Sequence, residues 1–283
     1  MTSDLSNASA MASAGSGQRV HVDTHLHVFK AGLSLPGTRY TPGYDAKLDT
    51  WRIQARSVGV THGVLVQTSF MGTDNRWLLT QLALHPKRLR GVAVVAPNAD
   101  AKLLTQLHAR GVRGIRLNLA GQSHDMAAWA AATGLWDALL QLGWHVELHT
   151  DNGRLPEVLP ALPAHLPLVL DHFARPASAS MHDPTVATLR QRQQSGGKVH
   201  IKLSASYRLA VGLNPAALCQ LWQVECGLDA LLWGSDWPFT NHETTNNYAS
   251  QHGGLAGWLK DDVLAEQAVR SANPARLYGF GTG

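Results

Sequence analysis

Eight short apolar, β-branched runs recur along the chain, each followed by a stretch long enough for a helix, and this alternation constrains the fold more than any other feature. The runs are "VHVDTHLHV", "GVLVQTS", "GVAVVAP", "VRGIRLNL", "WHVELHT", "LVLDHF", "KVHIKLS" and "ALLWGSD". Between them, segments such as "NRWLLTQLALH" (75–85), "DAKLLTQLHARG" (100–111) and "ATGLWDALLQLGW" (132–144) carry apolar residues at three- and four-residue spacing. Strand then helix, eight times, predicts an α/β fold of the (β/α)8 TIM-barrel type, and 283 residues suit a single domain of that kind. A doubly wound sheet would carry a glycine-rich phosphate loop after a strand; "GSGQ" near Gly15 precedes the first strand and lacks the spacing.

Several runs begin continuously apolar, as strands buried on both faces do, and turn polar only towards their C-terminal ends. Thr24, His25 and His27 end the first, Arg116 and Asn118 the fourth, Glu147 and His149 the fifth, Asp171 and His172 the sixth, and Asp236 the eighth. In a barrel those ends converge on one face, where active sites form. His25 and His27, at i and i+2, project to the same side of a strand at roughly 6–7 Å and can grip one ion; a hydrogen-bonded structural pair is the plainer alternative. With His149 and Asp236 the donor set becomes three imidazoles and a carboxylate, which suits one divalent metal ion, zinc by its softness. His149 and His172 could instead be satisfied core histidines.

Composition narrows the class. Hydrophobic residues make up 45% and charged residues 16%, so most of the chain is globular; the formal charge of +4 is scattered rather than clustered, which argues against nucleic-acid or membrane partners and favours a small anionic ligand. Residues 1–18, rich in Ser, Ala and Gly, read as a disordered leader without a secretory signal, leaving 19–283 for the barrel and a cytoplasmic location. The Asn7 glycosylation pattern then has no use. Cys219 and Cys226, seven apart on a predicted helix, are about 10 Å apart, too far to bridge. The oligomeric state stays open.

The motifs "VDTHLHVF" (22–29), "DHFARP" (171–176) and "WGSDWPF" (233–239) resemble the amidohydrolase superfamily over the whole barrel. With "VQTSFMGTDN" (66–75) and "GIRLN" (114–118), the chain resembles the lactonase branch that includes the 2-pyrone-4,6-dicarboxylate lactonases, enzymes of aromatic compound catabolism. The resemblance implies a hydrolase that opens a small anionic lactone, such as a pyrone dicarboxylate or muconolactone. Asp236 would be the general base, and His25, His27 and His172 would surround the scissile carbonyl, with or without a metal. Arg116, Arg175 and Arg208 would hold substrate carboxylates, and Tyr40 and Ser69 would line the pocket. Arginine suits this role because its planar fork binds carboxylate bidentately and stays charged.

The chain departs from that branch twice. After "GIR" the branch carries a second arginine, whereas "LNLAGQSHD" offers only Gln122, Ser123 and His124, so one anion clamp is expected to be missing. His149 replaces a tyrosine and restores the pattern of zinc-binding amidohydrolases; no lysine ends the fourth strand, which argues against a second metal. Trp233 and Trp237 flank Asp236 and would wall the pocket or simply pack, and Gly72–Asn75 should form a tight loop near the site. Two other functions are compatible with the sequence: a metal-dependent decarboxylase of the same superfamily, and a non-catalytic barrel that binds an acidic metabolite.

Overall fold

The computed structural model describes residues 20–281; the leader expected at 1–18 lies outside them. Eight parallel strands run in sequential order: β1 (Val22–Leu26), β2 (His62–Val66), β3 (Leu89–Ala93), β4 (Val112–Asn118), β5 (His145–His149), β6 (Leu168–Leu170), β7 (Val199–Leu203) and β8 (Leu231–Trp233). The ring closes just beyond β8, where the Asp236 amide donates to the His25 carbonyl and the His27 amide to the Trp237 carbonyl, both at 2.8 Å. Helices cover the outside, among them Arg76–Leu84, Ala101–Ala109 and Thr133–Gln141, each inside a segment whose periodicity predicts it. The protein is a single-domain (β/α)8 barrel.

The closing seam explains part of the first motif. Asp23 is fully buried and its role is structural; its carboxylate accepts from the Ser235 amide (2.9 Å) and hydroxyl (2.7 Å), Trp51 Nε1 (2.9 Å) and Tyr248 hydroxyl (2.9 Å). It staples β1 to the "GSD" segment. Gly234 permits the same approach, because a Cβ there would lie 2.6 Å from the Cβ of His25.

At β1, β6 and β8 the sheet ends before the last polar residues of the run, because the backbone turns away there. β6 stops at Leu170, and His172, Phe173, Ala174 and Arg175 all take left-handed φ values, from 44° to 59°. Asp236, three residues past β8, also has φ 60°, and His27 lies one residue past β1. Four successive non-glycine residues in that region are costly and persist only where packing over-determines them, a pattern found at functional sites. Trp233 and Trp237 are core residues, buried away from the cavity described below, so packing is their role. The cysteines are free, Cys219 buried and Cys226 half-buried. Among the described residues no helix is long and apolar enough to cross a membrane.

Buried histidines give the fold a pH dependence. Burial holds His145 and His172 down to about 3, from 6.5 when free. Their folded values are depressed, so the unfolded chain binds protons first on acidification. Stability is therefore complete above pH 6.5 and declines from there towards pH 3, by up to about 1.4 kcal/mol per pH unit for each histidine. Thermal melts at pH 7, 6, 5 and 4 should show this decline, and His145→Gln should flatten it. A slope unchanged in that variant would refute the assignment to His145.

Candidate active site

A cavity of about 510 Å³ opens at the C-terminal ends of the strands. Its wall includes His27, Tyr40, Ser69, Arg116, His149, His172, Arg208 and Asp236, so eight of the expected site residues meet there, and His25 lies directly beneath in contact with His27 and Asp236. Arg175 is the exception: it stands behind the wall, bonded to Asn152 Oδ1 at 3.0 Å and against His149 Nε2 at 3.1 Å.

At the floor three atoms converge. His25 Nε2 and His27 Nε2 are 3.3 Å apart, and Asp236 Oδ1 lies 3.5 Å from the first and 3.6 Å from the second. The other ring nitrogen of His27 donates to the Val66 carbonyl at 2.8 Å, which leaves its Nε2 with a lone pair. His25 Nδ1 sits 3.1 Å from Asp171 Oδ1; with its hydrogen turned there, its Nε2 also presents a lone pair. In that tautomer three lone pairs face one another within 3.6 Å, and a cation between them would satisfy all three. A triangle of that size has its centre about 2 Å from each corner, the bond length of zinc to histidine and carboxylate. The donor set therefore fits a divalent metal ion.

His149 stands apart from this trio. Its Nδ1 faces Arg116 Nη2 at 3.3 Å and its Nε2 faces Arg175, so guanidinium groups occupy both nitrogens. Burial, with His172 and Arg116 nearby, keeps it neutral, well below its ordinary pKa. The structure thus brings three of the four expected metal ligands together and places the fourth against arginines. His172 shares its Nδ1 with the Ser204 hydroxyl at 2.9 Å.

Asp236 has two distinct oxygens. Oδ1 faces the histidines, while Oδ2 accepts from the Tyr207 hydroxyl at 2.6 Å and Arg208 Nε at 2.7 Å. Burial alone would raise this carboxyl; the Arg208 guanidinium is the largest influence against it, and Asp236 is held ionised, well below the usual carboxylate range.

Beneath the floor lies a buried charge cluster whose Arg116, Glu147 and Asp171 stand among the expected strand-end residues and whose Lys202 does not. Lys202 on β7 is fully buried, with Nζ 2.5 Å from Glu147 Oε2, 3.1 Å from His25 Nδ1 and 3.5 Å from Asp171 Oδ1. Arg116 completes it, bonded to Asp171 Oδ2 through Nε (3.0 Å) and Nη2 (2.9 Å). Burial, then the charge of Asp171, pushes Glu147 upward; burial would also raise Asp171, but His25, Lys202 and Arg116 bring it well below its ordinary value. The chain does carry a signal for this cluster: Lys202 is a lone lysine between Ile201 and Leu203 in a barrel strand. Tyr207, which also escapes the sequence reading, has no comparable signal beyond standing next to Arg208.

The model of the family described as amidohydrolase matches residues 22–280. A 2-pyrone-4,6-dicarboxylate hydrolase from Comamonas testosteroni is 29% identical over 279 residues, covering 91% of this chain and 89% of that protein. A 4-sulfomuconolactone hydrolase from Rhizobium radiobacter is 26% identical over 270 residues, with the same coverage of 91% and 89%. The crystal structure of a probable 2-pyrone-4,6-dicarboxylic acid hydrolase from Acinetobacter baumannii, with citric acid bound, superposes with a TM-score of 0.81 at 31% identity, covering 92% of this chain and 99% of that one. Matched from its first strand to its last helix, the chain belongs to the amidohydrolase family.

Proposed function

We propose that this protein is a hydrolase that opens a small anionic lactone at the barrel mouth, with one divalent metal ion, zinc by its donor set, held by His25, His27 and Asp236. The observation that carries the reading is the convergence of those three donor atoms, 3.3 to 3.6 Å apart, on the floor of a cavity walled by arginines. The relatives support the substrate class: two are named for hydrolysis of anionic lactones, and a third holds citric acid, a polycarboxylate.

When bound, the metal would lower the pKa of water towards 7 and polarise the lactone carbonyl. The chain's own residues do the rest. Asp236, ionised and fixed by Tyr207 and Arg208 at Oδ2, takes a proton from the attacking water through Oδ1. The water oxygen bonds to the carbonyl carbon, the ring C–O bond breaks, and the proton passes from Asp236 to the leaving alkoxide, giving an open hydroxy acid. His172, neutral and with Nδ1 accepting from Ser204, can present its Nε2 hydrogen to the oxyanion. Arg116 and Arg208 line the cavity with guanidinium donors that suit a substrate carboxylate, and Tyr40 and Ser69 belong to the same wall.

Elemental analysis of protein purified without chelators, beside a panel of pyrone, muconolactone and sugar lactones, tests this reading. About one zinc per chain and opening of at least one anionic lactone are expected, with His27→Ala losing the metal. Failure to open any lactone overturns the reading, and carbon dioxide release without ester cleavage would support the decarboxylase instead. Full activity in metal-free protein would remove the metal while leaving the lactonase.

A further inference from the structure

Three guanidinium groups line the cavity: Arg39, Arg116 and Arg208. Two already face a carboxylate, Arg116 that of Asp171 at 2.9 Å and Arg208 that of Asp236 at 2.7 Å. They offer hydrogen-bond donors but little net charge. Arg39 is different. Among the described residues it forms no ion pair, and its Nη1 donates to the Ala120 carbonyl on the far side of the mouth.

The position of Ala120 is informative, because it lies two residues before Gln122, which lines the same cavity. Arg39 reaches that segment from the loop after β1. Gly121, at φ 65°, leaves room for it: a Cβ there would collide with the guanidinium. Both sides of the contact are anchored. The Gly121 amide donates to the Asp151 carboxylate at 3.0 and 3.1 Å. On the other side the Leu35 amide donates to the Phe70 carbonyl at 2.8 Å, and the Tyr40 and Tyr44 hydroxyls donate to Glu243 at 2.7 and 2.8 Å. An exposed, unneutralised arginine thus stands on the wall of the cavity that Gln122 and Asp236 also line.

We infer that Arg39 is a specificity-determining residue which binds a second acidic group of the substrate, so that the preferred substrate is a dianionic lactone with its distal carboxylate or sulfonate at the mouth between Arg39 and Gln122. The inference rests on the lactonase reading for the word lactone, but not for the anion site itself.

The test compares wild type, Arg39→Met and Arg39→Lys on 2-pyrone-4,6-dicarboxylate and on the two pyrone monocarboxylates. Removing an arginine that pairs with a substrate carboxylate at a partly exposed site should raise KM for the dicarboxylate by about 10- to 100-fold, with kcat within threefold. Arg39→Lys should recover part of that effect. At least one monocarboxylate, the one lacking the distal group, should change by less than about twofold. Equal losses on all three compounds, or no loss on the dicarboxylate, overturn the proposal. Calorimetric titration with isophthalate and benzoate separates it from the lactonase reading. If no lactone is opened but Arg39→Met weakens isophthalate about tenfold or more and leaves benzoate unchanged, the anion site stands and the lactonase fails. If the dicarboxylate is opened with the same KM in both proteins, the lactonase stands and the anion site fails.

Discussion

Asp236→Asn should abolish lactone opening, lowering kcat by about 1000-fold or more, while the protein folds and still binds isophthalate. The asparagine matches the shape of the carboxylate and keeps an acceptor for Tyr207 and Arg208, which hold Oδ2 at 2.6 and 2.7 Å. It cannot take a proton. General-base catalysis is worth about 100- to 10,000-fold, and the same change removes one of three donors from a metal site, adding the loss of activated water. The measurement is kcat with the best lactone found, alongside isophthalate affinity and a melting curve. A kcat within tenfold of the parent, in a correctly folded variant, would overturn the assignment of Asp236 as base. Loss of both activity and folding would be resolved by Asp236→Glu, which keeps the charge and should retain metal.

Lys202→Met should cost about 3–5 kcal/mol of stability, a large fraction of the total for a protein of this kind. Inside the barrel Lys202 and Arg116 balance Glu147 and Asp171, all nearly inaccessible to water. Burial already pushes Glu147 upward, so without the ammonium that stands 2.5 Å from its Oε2 the group takes up a proton and stays buried without its partner, and the charge-assisted hydrogen bond is lost. Urea unfolding at pH 7 would measure the cost. Adding Glu147→Gln to Lys202→Met should restore a substantial part, because the acid left without its partner goes with it; a single variant as stable as the parent would show that the cluster carries no stability. The same residues stand behind His25, whose Nδ1 meets both Lys202 and Asp171 at 3.1 Å, so the cluster also orients a floor ligand.

Much of this is legible in the chain, and for definite reasons. Apolar periodicity reports burial, so the runs that form β1 to β8 and helices such as Ala101–Ala109 can be read directly. Polar residues closing apolar runs report the barrel mouth, which is why His25, His27, Arg116, His172 and Asp236 can be named from their places in the chain. Periodicity cannot report where a strand stops for a left-handed turn, as at His172–Arg175, nor what a long side chain meets when it arrives. Arg175 and His149 therefore meet each other rather than the cavity and the metal trio, respectively. Arg39 lies in a loop with no periodic signal, and the lone lysine at 202 signals a buried charge without naming its partners.

The barrel, the face that carries the site and the residue types gathered there follow from the order of residues, because hydrophobic alternation and chain connectivity are local properties of that order. Which of those side chains touch is set by the packed fold. The trio of His25, His27 and Asp236, the salt-bridged arginines, the buried Lys202 and the crossing of Arg39 to Ala120 all join residues distant in the chain or turned by the backbone. Hydrogen bonds and charge pairs act over about 3 Å, a scale that spacing along a sequence does not encode.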